Sequence, residues 1–277
     1  MSYTKDSWNN ESGQRWVKNA DLLDEILSPF ANFLMTRTNM RERSGPLLDI
    51  GCGAGATTIL ASQLMGERGS AVGVDVSEPL VGLARKRIAD KLPNVTFACA
   101  DAAQWRGDAK FQHVLSRFGV MFFPEPVPAF ANIRENCEAD APLDFTCWRT
   151  PAESELISLA GRIAREFLTE PPVRPEPREP GPFAFAEQDY LSEVLTASGW
   201  KNVKIEPVDL KLSIPGATPE EAGRNIVSVG ILLDLFTEQG IDPEPMFEIL
   251  TREMEARVGA DGKPQLLAGV WAVSATA

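Results

Sequence analysis

Leu47-Leu48-Asp49-Ile50-Gly51-Cys52-Gly53-Ala54-Gly55 is an apolar run that ends in three alternating glycines. Leu47, Leu48 and Ile50 read as a buried strand, and the glycines as the turn that hands the chain to a helix over residues 54–65. Glycine suits such a turn because, without a Cβ, it adopts unusual dihedrals and lets backbone approach a ligand closely.

Outward from this stretch, strand-like runs rich in Val, Ile, Leu and Phe recur at 70–75, 94–98, 111–116 and 143–148. Helical periodicity fills 78–91 and 126–137 between them. Strands and helices in alternation predict parallel strands joined by crossover helices, hence an α/β fold with a mostly parallel sheet. Upstream, apolar positions at helical spacing across 14–41, among them Trp16, Leu23, Leu27 and Phe30, predict one or two helices that form a lid. Downstream come a helix at 152–168 and a segment at 171–182 whose many prolines exclude helix and favour a stiff extended connector. A helix at 187–198, a strand at 203–212, helices at 219–236 and 243–258 and a closing strand at 266–273 complete the chain. The organisation expected is a single domain in four parts. These are a helical N-terminal lid (1–45), a cofactor-binding core (46–150), a helical and Pro-rich insertion (151–186), and the rest of the core sheet with a substrate-covering helical insertion (187–277).

Three carboxylates give the glycine turn its chemistry. Asp75 closes the second strand, beside the first turn in a doubly wound sheet, where it can accept both hydroxyls of a ribose. Asp49 stands two residues before the first glycine, near the amine region of a ligand that has no pyrophosphate to repel it. Asp101 follows the third strand, where an adenine amino group needs an acceptor. The run from Gly51 to Ala56 also satisfies the G-x-G-x-x-A fingerprint of dinucleotide enzymes, which would make the chain an NAD(P)-dependent oxidoreductase. That reading leaves Asp101 and residues 116–123 without a purpose, and it places the motif unusually far from the start of the chain.

The string 47–58, the acidic end of the second strand, Asp101, and Ser116-Arg117-Phe118-Gly119-Val120-Met121-Phe122-Phe123 together resemble the class I S-adenosylmethionine-dependent methyltransferases. More narrowly they are similar to bacterial small-molecule methyltransferases in the broad neighbourhood of the ubiquinone-biosynthesis enzymes. The resemblance implies a Rossmann-like seven-stranded sheet whose last strand, 266–273, runs antiparallel between its neighbours. It implies S-adenosylmethionine as the cofactor, with Gly51, Cys52 and Gly53 against the methionine part and Asp49 near its amino group. Asp75 would hold the ribose hydroxyls, Val76 would pack on adenine, Asp101 with Ala102 would take the adenine edge, and Ser116 would offer backbone to the amino acid moiety. Two departures concern local structure. Ala139-Asp140-Ala141-Pro142 replaces a customary Gly-Gly turn, so that corner is expected to be rebuilt or loose, and Gln112 stands where an acid is common.

Composition narrows the partners. A net charge of −12 over 277 residues disfavours nucleic acid and anionic membrane surfaces, both of which require clustered Lys and Arg. The polar start and the absence of a run of about 18 apolar residues point to a cytoplasmic protein with a small-molecule substrate, and oligomeric state is left open. Cys52, Cys99, Cys137 and Cys147 are widely spaced and read as packing residues, and the one histidine, His113, falls inside a strand, so no metal site is expected. Methyl transfer from a sulfonium is an in-line displacement that proximity and orientation accelerate, with no base obligatory. A base, if needed, would be a carboxylate or Tyr190. Arg117, just past the fourth strand, is the candidate substrate contact, against the alternative of an ion pair bracing the loop. Phe118, Phe122, Phe123, Trp148, Phe183, Phe185 and Trp271 are candidates for an apolar cavity, and Trp8, Arg15 and Trp16 for closing over the cofactor. A non-catalytic module that binds the cofactor for a partner is the remaining alternative.

Overall fold

The computed structural model describes residues 4–89, 91–170 and 176–277. Three helices come first, α1 (Lys5–Asn9), α2 (Glu11–Lys18) and α3 (Ala20–Arg37), one more than the sequence spacing predicts and beginning earlier. Thr4 caps α1 by accepting the Ser7 N–H, which lets a five-residue helix form with no buried side chain. α3 is different in kind: Leu23, Ile26, Leu27, Phe30, Ala31 and Leu34 form a stripe at i, i+3, i+4 spacing that is wholly buried.

The alternating core follows in the predicted order: β1 (Gly45–Ile50), α4 (Ala56–Met65), β2 (Gly69–Asp75), α5 (Glu78–Ile88), β3 (Val95–Cys99), β4 (His113–Arg117), α6 (Pro126–Glu135) and β5 (Pro142–Trp148). β4 starts two residues later than expected because Phe111 and Gln112 make only an isolated bridge with Cys137 and a bond to Pro46. Then come α7 (Glu155–Ala164), shorter than the periodicity suggests, α8 (Gln188–Ala197) and β6 (Lys201–Ser213). The helix expected across 219–236 is two, α9 (Pro219–Ser228) and α10 (Leu232–Glu238), parted at Gly230, before α11 (Glu244–Glu255) and β7 (Gln265–Thr276).

Among the described residues the strands form one seven-stranded sheet in the order β3-β2-β1-β4-β5-β7-β6. β1 through β5 pair in parallel, whereas β7 lies antiparallel to both β5 and β6. Chain order reverses between β1 and β4, so the crevice above the carboxyl ends of these two strands is the topological switch point where ligands bind in open α/β sheets. Leu48, Ile50, Val114, Leu143 and Phe145 fill the largest core cluster, buried on a sheet covered from both faces.

One expectation needs correction, and another is met in one of its two forms. Residues 171–175 of the Pro-rich segment lie outside the described residues, but 176–182 are turns rather than an extended connector. The Gly181 N–H donates to Met121 O, and Arg178 pairs with Glu187 over the ring of Tyr190, so this stretch folds back on the loop after β4. The corner at 139–142 is rebuilt: Asp140 takes φ 62, the left-handed conformation a glycine would supply, and the Ala141 N–H bonds to Glu138 O. Asp tolerates that region better than most residues. Since Asp140 is exposed, substitution there tests backbone alone. Asp140→Gly is expected to leave stability unchanged or raise it, and Asp140→Val to lie about 1–2 kcal/mol below the Gly variant, the left-handed penalty for a residue with a Cβ. Urea midpoints of the two variants check this.

Candidate active site

A cavity of about 630 Å³ opens at the switch point. Four loops supply its floor: 51–54 after β1, 75–76 after β2, 100–102 after β3 and 117–119 after β4. Trp8, Trp16, Ala20, Leu23, Asp24 and Leu27 of the N-terminal helices close it from above.

The glycine turn is held from both sides. Gly51 and Cys52 donate their N–H groups to Val74 O at 2.8 and 3.2 Å, pinning the turn to β2. A Cβ on Gly51 would lie 2.5 Å from Gly119 Cα, so this backbone contact between the β1 and β4 turns exists only because both residues are glycine. At Gly53 the situation is the reverse: φ is 54 and nothing lies within 4 Å of the place a Cβ would take, so this part of the turn faces open cavity. The side chains of the turn leave the crevice unplugged, and a ligand can rest on backbone.

Asp75 lines the cavity one strand over, as the sequence places it. Its Oδ2 accepts the Gly53 N–H at 2.8 Å and its Oδ1 the Ser77 N–H at 2.9 Å, which fixes the carboxylate while leaving each oxygen a lone pair. Burial pushes its pKa up, opposed by the N–H groups of Ser77, Gly53 and Val76. Val76, Asp101 and Ala102 also reach the cavity, as do Cys52 and Ala54. Asp101 Oδ1 accepts the Ala103 N–H at 2.9 Å, which orients an otherwise exposed carboxylate.

Asp49 and Ser116 sit elsewhere. Asp49 is 1% exposed, beneath the turn, and its Oδ2 accepts the Thr58 hydroxyl at 2.6 Å. Burial drives its pKa from 3.8 to about 7, although Thr58 and Arg117 pull it back. Ser116, also buried, donates its hydroxyl to Ile50 O at 2.8 Å and accepts the Gly119 N–H at 3.1 Å, so it braces the β1 and β4 turns against each other. Neither side chain lines the cavity.

Of the aromatic candidates, Phe118, Phe122 and Phe123 line the cavity, with Phe118 stacked on Trp148 at 4.2 Å. Trp148 and Phe185 are core, and Phe183 and Trp271 pack beside it; none of the four lines the cavity. Trp8 and Trp16 meet edge to face at 5.5 Å over it, whereas Arg15 turns away to pair with Asp234. His113 stands at the far end of β4, where burial holds it at about 4 and therefore neutral. Arg117 lines the cavity and also pairs with Asp24 at 3.2 Å, so the ion pair does not remove it from that space. Sequence reasoning missed Asp24, although a carboxylate on the apolar stripe between Ala20, Leu23 and Leu27 is a readable anomaly. It also missed Lys5, Leu80, Ala100, Glu179 and Pro180 on the lining, which tertiary packing alone brings there.

Residues 47–140 match a family model described as a methyltransferase domain. Over 226 residues the chain is 23% identical to a demethylmenaquinone methyltransferase of Shouchella clausii, covering 74% of this chain and 93% of that protein. Over 202 residues it is 26% identical to the nocamycin O-methyltransferase of Saccharothrix syringae, covering 70% and 72%. The solved phosphoethanolamine N-methyltransferase 2 of Haemonchus contortus, in complex with S-adenosyl-L-methionine, shares the fold at a TM-score of 0.59 and 14% identity, over 100% of this chain and 60% of that one. These matches give the dinucleotide reading of the glycines no support. Among the described residues, no helix is long and apolar enough to cross a membrane.

The buried Asp49 makes a prediction about stability. Unfolded, its carboxyl ionises near 3.8; folded, near 7. Between these values the folded chain binds the extra proton, so stability from this group is fully present below about pH 4 and is lost as pH rises to about 7. Asp49→Asn keeps an oxygen for Thr58 and removes the titration. Urea midpoints followed from pH 4 to pH 7 are expected to fall less steeply in the variant; equal slopes contradict the assignment.

Proposed function

We propose that this S-adenosylmethionine-dependent methyltransferase transfers its methyl group to a small, largely apolar molecule bound in the same cavity. The observation that carries the reading is the open glycine turn at Gly53 beside an inward Asp75 whose carboxylate it holds at 2.8 Å. An adenosyl sulfonium needs backbone to lie on and a fixed acceptor for its ribose, and both stand within one crevice.

In this reading Gly51, Cys52 and Gly53 would carry the methionine part of the cofactor, and Asp75 would accept the ribose hydroxyls. Val76 and Leu80 would pack on adenine, with Asp101 and Ala102 at its edge. Asp49 and Ser116, being buried, would act on the cofactor through the turn they support. When bound, S-adenosylmethionine supplies a methyl carbon on a positively charged sulfur, and that charge disappears as the acceptor takes the carbon. The chain's own contribution is to align the acceptor and exclude water; alignment supplies about 7–11 kcal/mol of barrier lowering in well-oriented systems. Leu23, Leu27, Ile50, Phe118 and Phe122 give the remaining cavity an apolar wall, which favours an apolar substrate, with Arg117 as its polar contact.

The four-part division at 1–45, 46–150, 151–186 and 187–277 is read in the same way, with the first and third parts covering the second. Four unpaired cysteines suit a reducing compartment such as the cytoplasm. An acidic chain with a largely apolar cavity favours a small molecule over nucleic acid or a membrane surface as partner.

Two measurements test the reading. S-adenosylmethionine and S-adenosylhomocysteine are expected to raise the melting temperature, as any ligand selective for the folded state must, while NAD and NADP leave it unchanged; equal stabilisation by NAD overturns it. Calorimetry of Asp75→Ala is expected to show S-adenosylhomocysteine binding weakened by about 1.5–3 kcal/mol, the scale of hydrogen bonds to a charged group. Unchanged affinity removes Asp75 from the site.

A further inference from the structure

We propose that Arg117 is the receptor for a substrate oxyanion, the ionised hydroxyl of a planar phenol or enol, and that Asp24 is the residue that positions it. The inference rests on the methyltransferase reading of the cavity and specifies which acceptor that cavity takes.

Arg117 projects from the end of β4 with 13% of its side chain exposed. Among the described residues its one side-chain partner is Asp24, through a single Nη2–Oδ1 contact of 3.2 Å. None of its nitrogens is buried without a partner, and it lines the cavity, so its remaining N–H groups open onto that space. Asp24 is itself fixed: its other oxygen accepts Arg87 Nη1 at 2.6 Å, and the same Nη1 donates to Ala54 O at 2.9 Å. The chain of contacts from Ala54 through Arg87 and Asp24 ties the guanidinium to α3 and to the first turn. A guanidinium with open donors in an aromatic cavity binds a planar oxygen anion well.

The same cavity offers little to remove a proton. Asp24 is occupied by two arginines, and in the functional reading Asp75 and Asp101 serve the adenosyl end. Glu179 is exposed and takes the Glu176 N–H at 3.1 Å. His113 lies at the opposite end of β4 from Arg117. An acceptor that arrives already ionised needs no base: its oxygen lone pair forms the new O–C bond, the S–C pair stays on sulfur, and no proton is released.

The test compares two probes of the same shape, 4-nitrophenolate and its methyl ether 4-nitroanisole, binding to the protein saturated with S-adenosylhomocysteine at a pH where the phenol is ionised. Wild type is expected to prefer the phenolate by about tenfold or more, as a charge-assisted hydrogen bond supplies. Arg117→Met is expected to abolish the preference, Arg117→Lys to restore part of it, and Asp24→Ala to lose most of it while Asp24→Asn, which still accepts from Arg117, keeps more. A purely structural role for Asp24 would lower melting temperature without changing the ratio of the two affinities. The proposal is overturned if neither probe binds, if wild type does not prefer the phenolate, or if Arg117→Met weakens S-adenosylhomocysteine binding and leaves the preference intact, which would assign the guanidinium to the cofactor's carboxylate. Absence of S-adenosylhomocysteine binding to wild type is a separate result and defeats the cofactor reading itself.

Discussion

The contact between Gly51 and Gly119 fixes everything above it. Two turns, one after β1 and one after β4, meet backbone to backbone at the point where the sheet reverses its order, and a Cβ on Gly119 would lie 2.3 Å from Ile50 O. Ser116 ties the same two turns together, bonding Ile50 O with its hydroxyl and taking the Gly119 N–H. Because the turns touch below, the crevice opens above them. Its floor is therefore unshielded backbone, whose N–H groups and small residues admit a ligand that any side chain would exclude.

A rigid floor needs its second wall at a defined distance, and Asp75 supplies that by holding two loops with one carboxylate. It takes the Gly53 N–H from the first turn and the Ser77 N–H from its own. The cost is an acid held partly out of water, visible as a raised pKa and offset by the backbone donors around it. Asp49 shows a harsher version of the same effect: beneath the turn it is fully buried, and the Thr58 hydroxyl and N–H with the charge of Arg117 offset only part of that burial. Burial of charge near a site at the expense of stability is a recurring feature of functional crevices.

The legibility of this protein in its sequence follows the range of the interactions involved. β1 with its glycines, the acidic end of β2 and the alternation through β5 are local patterns, and they place Gly51, Gly53, Asp75 and Asp101 around one cavity without reference to anything distant. The antiparallel β7 came from family resemblance rather than from periodicity, because an apolar run does not state its direction. Asp49 and Ser116 were legible as positions but not as orientations: alternation along a strand says which face a side chain takes, not whether a helix such as α4 covers it. The long-range pieces were the least legible. Asp24 meets Arg117 across 93 residues, and Glu179 reaches the cavity only because Gly181 bonds to Met121.

The parts that close the site differ in how firmly they are held, and this difference bears on how a ligand enters. α3 is packed by a buried stripe and belongs to the core, so its contribution to the wall, including Asp24, is as fixed as the sheet. α1 buries nothing. It is attached by Asn9, whose amide donates to Val76 O at 3.0 Å and whose carbonyl accepts the Glu78 N–H at 3.0 Å, by the Ser77 hydroxyl on Trp8 O at 2.7 Å, and by the edge-on contact of Trp8 with Trp16 and Phe122. All three bonds end on Val76, Ser77 or Glu78, at the junction between β2 and α5. Releasing α1 exposes the Trp8 contact but no fully buried side chain, so it costs less than opening the sheet. The β2 side of the cavity is thus bordered by a lightly attached element, whereas the side walled by α3 and β4 is built into the core.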